Sequence, residues 1–116
     1  MPIAARWRRL DRLPDPRGRD PAPGVYELAD AERRVVYVGQ SAGDVPTRLR
    51  QHLAGGGCVA ERAAFWRMRA SRVPQADEAA LLASYVARYG ELPPCNRARP
   101  LARDARRRYA ERSSGR

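Results

Sequence analysis

Between Gly24 and Gly39 the chain reads GVYELADAERRVVYVG, and no other stretch limits the possible fold as tightly. Its arms, GVYELAD and RVVYVG, have β-type composition, and the polar ADAERR between them supplies a turn. That pattern predicts an antiparallel hairpin. The second arm, Val35-Val36-Tyr37-Val38, is continuously apolar, as a strand covered on both faces would be.

Beyond Gly39 the text changes to helix. QSAGD reads as a loop, Asp44 can cap the following VPTRLRQHL, and Pro46 is tolerated in a first turn. Val45, Leu49 and Leu53 recur at four-residue spacing as a buried stripe, and AGGG stops the helix. CVAERAA is ambiguous. FWRMRAS alternates, with Trp66, Met68 and Ala70 on one side and Arg67 and Arg69 on the other, which predicts a third strand. PQADEAALLASYVARYG is the clearest helix: Pro74 opens it, Asp77 and Glu78 suit its positive end, and Gly90 closes it. Leu82, Tyr85, Val86 and Tyr89 are its expected core face, and ELPPCN follows as a rigid loop.

The ends read differently. AARWRRLDRL is expected to form a short helix with Trp7, Leu10 and Leu13 on one side, and PDPRGRDPAP an extended tether. PLARDARRRYAERSSGR is expected to form an Arg-rich amphipathic helix that frays into a tail. The organisation is thus a basic, Pro-rich N-terminal extension (1–22), a domain (23–97) and an Arg-rich C-terminal helix and tail (98–116). The order β-β-α-β-α-α implies an α+β fold, a small three-stranded antiparallel sheet flanked by helices.

Charge narrows the partner. The net charge is +10, and the first twenty residues carry six Arg against three Asp. The last twenty carry eight Arg against two acids, whereas the body between holds nine Arg against eight. A nearly neutral body with two basic ends is suited to a polyanion, and nucleic acid is the expected partner. All 23 basic residues are Arg, which points to a base-composition bias, but bias does not explain the clustering. No apolar run approaches the roughly 18 residues of a membrane span, so no membrane partner is expected and the default location is cytoplasmic. Cys58 and Cys95 are too few for a disulfide framework and have no zinc spacing, and His52 is the single histidine.

Several polar residues interrupt the apolar pattern. Glu78 lies one turn before Leu82, where a carboxylate is costly unless a cation compensates it; the plain alternative is a glutamate favoured by the helix dipole. Arg48 and His52 flank Leu49 one turn apart, and Arg50 points about 200° from Arg48, towards solvent. Arg48 could clamp a phosphate or simply snorkel along the core edge. His52, Tyr26 and Tyr37 each have an ordinary reading as a satisfied imidazole or a core aromatic.

As a set, these residues resemble the GIY-YIG nuclease domain. Gly24-Val25-Tyr26 is similar to the first signature, with Val for Ile, and Tyr37-Val38-Gly39 to the second. The family's helical arginine maps to Arg48, with Arg50 as the alternative, and His52 matches a position where several members carry His or Tyr. Glu78 followed by Leu81-Leu82 resembles the metal-binding glutamate, and the LPPCN loop ending at Asn96 closes the set. The resemblance runs from Gly24 to Asn96 and implies a GIY-YIG-like α/β sandwich. It also implies a divalent-metal-dependent endonuclease that uses one Mg2+ or Mn2+ on Glu78 to cut DNA in preference to RNA, with little sequence selectivity. Tyr26 would take the proton of the attacking water, its pKa lowered by neighbouring positive charge. Tyr37 would orient water or phosphate, Arg48 would neutralise charge and His52 would assist. Gly24, Gly39 and Asn96 would support the site, while Arg50, Arg103, Arg106 and Arg107 would grip nucleic acid. The alternative is a non-catalytic nucleic-acid-binding module or accessory subunit with the same fold.

Overall fold

The computed structural model describes residues 2–97. Its centre is the expected hairpin, β2 (Gly24–Ala29) and β3 (Val35–Ser41), in a four-stranded antiparallel sheet completed by β1 (Arg8–Arg9) and β4 (Phe65–Ala70). The strand order is β1-β4-β2-β3. Helices α1 (Val45–Gly55) and α2 (Cys58–Arg62) follow β3, α3 (Pro74–Tyr89) follows β4, and the short α4 (Pro94–Arg97) comes last. The α+β architecture agrees with the sequence reading, with four strands rather than three.

The additional strand lies where a helix was expected. Arg8 pairs with Trp66 and Arg9 with Phe65, while Ile3 and Leu10 are buried in the cores on the two sides of the sheet. Burial of these two apolar side chains on a preformed sheet outweighs the weak helical preference of AARWRRLDRL. The stretch read as a tether is likewise held down. Arg19 makes a two-pronged ion pair with Asp44 at 2.8 and 2.9 Å, and the Ala22 amide donates to the same carboxylate.

Strand periodicity sorts the side chains into two layers. Tyr26 faces Gly39 and Leu28 faces Tyr37 in register. Their side packs with Trp66, Leu10, Val45 and Leu49 of α1, Val59 of α2 and Cys95 of α4. On the opposite side Val25 and Val38 pack with Ile3 and Leu81 of α3. There Glu27, 4% exposed, is neutralised by Arg67 at 2.7 Å and accepts the Ile3 amide at 3.2 Å. The hairpin turn is held by the Asp30 carboxylate, which accepts from the Glu32 and Arg34 amides, and Arg33 closes it with φ 63°.

Helix α3 presents a different face from the one expected. Leu81 is buried and Leu82 and Tyr85 are half-buried, but Val86 and Tyr89 are 37% and 58% exposed. The buried stripe runs through Asp77, Glu78, Leu81, Leu82 and Tyr85, and the Tyr85 and Tyr89 rings meet each other at 4.5 Å. The aromatic residues of the last turns therefore cover one another rather than the sheet.

The cysteines, expected to be too few for a disulfide framework, form a single Cys58–Cys95 disulfide that joins α2 to α4 across 37 residues. The expected C-terminal helix and tail lie outside the described residues. Among the described residues no helix is long and apolar enough to cross a membrane.

Candidate active site

Two helices begin at the end of the sheet where β2 starts and β3 and β4 finish. The Val45 amide of α1 donates to Ala22 and the Ser71 amide, just before α3, donates to Pro23. Asp44 fixes α1 there: beyond Arg19 and Ala22, its carboxylate accepts from the Thr47 amide at 3.0 Å and the Thr47 hydroxyl at 2.6 Å. The Arg19 guanidinium, aided by the Thr47 and Ala22 donors, holds this carboxyl far below the usual carboxylate range. The expected N-cap is thus an ion-paired hub, and its arginine comes from the stretch read as a tether.

The anchored helix carries His52 to the sheet. The Tyr26 hydroxyl and His52 Nε2 are 2.8 Å apart, and the Tyr37 and His52 rings lie at 5.2 Å, edge to face. Tyr26 and Tyr37 have ring centroids 6.2 Å apart. Two residues on adjacent strands and one on a helix therefore converge on one polar cluster at the margin of an apolar core.

The two glycines beside the tyrosines have a steric explanation. A Cβ on Gly39 would stand 2.5 Å from the Tyr26 hydroxyl, so the phenol occupies the space that a side chain would fill. A Cβ on Gly24 would collide with the Arg69 carbonyl of β4. One glycine admits the tyrosine and the other admits the neighbouring strand.

The charged candidates act on the same phenol. Burial, then the neighbouring Tyr37, raises the Tyr26 pKa; Arg48 opposes this by its charge and hydrogen bonding, while the Glu78 carboxylate adds to it. Arg48 lowers this pKa, as expected of neighbouring positive charge, but desolvation outweighs it and the net shift is upward. At neutral pH Tyr26 is a neutral phenol hydrogen-bonded to His52 Nε2. Arg48 is exposed on α1 and also donates to Gln51 at 3.2 Å. Glu78 is half-buried on the sheet-facing stripe of α3.

Asn96 stands apart from the chemistry. Its side-chain oxygen accepts from the Val38 amide at 2.9 Å and its nitrogen donates to the Val38 carbonyl at 3.0 Å, between Tyr37 and Gly39. Arg50 does not point to open solvent. Its guanidinium donates to the Leu13 and Pro14 carbonyls because the N-terminal segment crosses α1 at that point. Arg103, Arg106 and Arg107 lie outside the described residues. The sequence reading missed the Arg19–Asp44 pair, for which the only local signal was the cap residue, and the buried Glu27, signalled by an acid inside an apolar strand.

No cage for a transition metal exists among the described residues, where no group of three or more His, Cys, Asp or Glu could hold an ion. One half-buried carboxylate fits a different ion, a hard one such as Mg2+ that keeps most of its waters and takes its other ligands from phosphate oxygens. The fold and cluster thus define a small α+β domain with a tyrosine–histidine centre flanked by one arginine and one glutamate. No protein-family model matches the chain, and no curated protein or solved structure matches it.

Proposed function

We infer that the protein is a divalent-metal-dependent endonuclease that hydrolyses phosphodiester bonds, in DNA before RNA. The observation that carries this reading is the meeting of Tyr26, Tyr37 and His52, with Arg48 and Glu78 both acting on the Tyr26 phenol. The ordered resemblance of the same residues to the GIY-YIG nuclease domain supports it. So does the +10 net charge, which suits a polyanionic substrate.

In this mechanism Tyr26 and His52 act as a pair. The phenol passes its proton to His52 Nε2, 2.8 Å away, and the resulting phenolate takes a proton from the attacking water. Arg48 lowers the cost of the phenolate and offers its remaining donors to the phosphate oxygens. The hydroxide oxygen bonds to phosphorus as the bond to the leaving sugar oxygen breaks, and that oxygen is protonated from the histidinium or solvent. Tyr37 orients the water or phosphate with its hydroxyl. Glu78 would hold the Mg2+ or Mn2+, which when bound polarises the phosphate and stabilises the leaving oxygen.

The test is incubation with single-stranded, duplex and branched DNA, with and without Mg2+ or Mn2+. Glu78→Ala is expected to abolish metal-dependent cleavage, a loss of about 10²-fold or more, while DNA binding is retained. Wild-type cleavage by Glu78→Ala would remove the metal-site assignment. Binding without any cleavage by the wild type would leave a nucleic-acid-binding module.

A further inference from the structure

The far side of the same sheet face carries a second cluster that the catalytic reading does not use. Arg8, Arg9, Arg12, Pro14 and Trp66 wall a pocket of about 350 Å³. Arg8 lies over the Trp66 ring at 4.8 Å, and Arg9 shares one charge with Asp11 at 2.7 Å. Arg8 and Arg12 are exposed and have no carboxylate partner among the described residues. Three guanidinium groups around one small pocket repel one another and gain from an anion between them.

Two buried donors point the same way. The indole nitrogen of Trp66 has no acceptor, and neither has Nη1 of Arg50, whose Nη2 holds the Leu13 and Pro14 carbonyls at the pocket's rim. Buried donors without acceptors are costly and rare in folded proteins; here one belongs to Trp66, which lines the cationic pocket, and the other to Arg50, which is bonded to the lining residue Pro14.

Its position suits a strand of nucleic acid. Arg8 pairs with Trp66, Trp66 with Leu28, and Tyr26 lies two residues along β2 from Leu28. Strand geometry puts the pocket about 12 Å from Tyr26. On α1, Arg50 is bonded to Pro14 of the pocket, while Arg48 acts on the Tyr26 phenol.

We propose that the pocket formed by Arg8, Arg9, Arg12 and Trp66 is a phosphate site that holds the backbone of a nucleic-acid strand a short distance from the bond to be cut. The inference rests on the phosphodiester-binding reading above and adds a second point of attachment, which sets the direction of the strand across the sheet. It is independent of base identity, because the pocket offers only guanidinium and N–H donors.

The experiment compares the double variant Arg8→Ala/Arg12→Ala with Arg62→Ala/Arg72→Ala, which removes the same charge from exposed positions elsewhere. A fluorescein-labelled single-stranded DNA dodecamer is titrated across a range of salt concentrations. The pocket variant is expected to weaken binding roughly tenfold or more and to reduce the log–log salt slope by about 1–2, with a much smaller effect in the control. Hydrolysis of bis(4-nitrophenyl) phosphate, too small to span both sites, is expected to be unchanged in the pocket variant. Equal losses in the two double variants, or wild-type affinity in the pocket variant, would overturn the proposal. If the wild type cleaves no phosphodiester but the pocket variant alone loses binding, the catalytic reading fails and the pocket stands.

Discussion

A methyl group at position 39 would press on the Tyr26 hydroxyl, so Gly39 and Tyr26 are one steric unit on neighbouring strands. The same close packing desolvates the phenol and raises its pKa. A tyrosine in the unfolded chain ionises near pH 10. The folded protein therefore keeps this proton to higher pH than the unfolded chain does. The resulting stabilisation is complete below about pH 10 and is lost as pH rises through the folded value. Tyr26→Phe is expected to lose about 1 kcal/mol at neutral pH through the His52 hydrogen bond. It should also show a shallower decline in stability above about pH 10, measured by urea unfolding at several pH values. An alkaline decline as steep as that of the wild type would mean that another group controls it.

At the scale of the element, α1 is positioned by Asp44 more than by its own sequence. The Asp44 carboxyl is held low by Arg19, so its contribution is present above the ordinary aspartate pKa near 3.9 and is lost as pH falls through the depressed folded value. Arg19→Ala is expected to lower the urea midpoint at pH 7, and its deficit against the wild type should shrink on going to pH 3. An equal deficit at both pH values would show that the ion pair is not its source.

This helix also marks where sequence reading succeeds and where it stops. Its cap, its first-turn proline and its Val45–Leu49 stripe are local signals, and all three are present in the fold. The hairpin and the bounds of α3 are local in the same sense, set by a polar turn, Pro74 and Gly90. Strand β1 is not: two arginines become a strand only because Phe65 and Trp66 arrive beside them from more than fifty residues away. Nor is the face of α3, where Val86 and Tyr89 are apolar by type yet exposed. Within the site, residue types and order were readable from Tyr26 to Glu78. The Tyr26–His52 contact, the direction of the Tyr26 pKa and the Arg19–Asp44 pair depend on three-dimensional proximity, which no local pattern encodes.

At the scale of the whole molecule, the Cys58–Cys95 bridge ties the last described helix to the middle of the chain. Closing a loop of 37 residues restricts the unfolded chain and is expected to contribute about 3–4 kcal/mol. Reduction by a dithiol should lower the urea midpoint accordingly, and an unchanged midpoint would show that the packing around α4 holds without the bridge. Beside Cys95, Asn96 occupies the outer edge of β3 with both ends of its amide. An open strand edge is a template on which a second chain can add itself. β3 is the longest strand of the sheet, and at its midpoint the amide of one side chain stands where the backbone of a further strand would pair. The opposite edge, β1, is only two residues long. Asn96 thus fills the place a further strand would take at the middle of this valine-rich edge, and the bridge at the preceding residue ties its helix to α2.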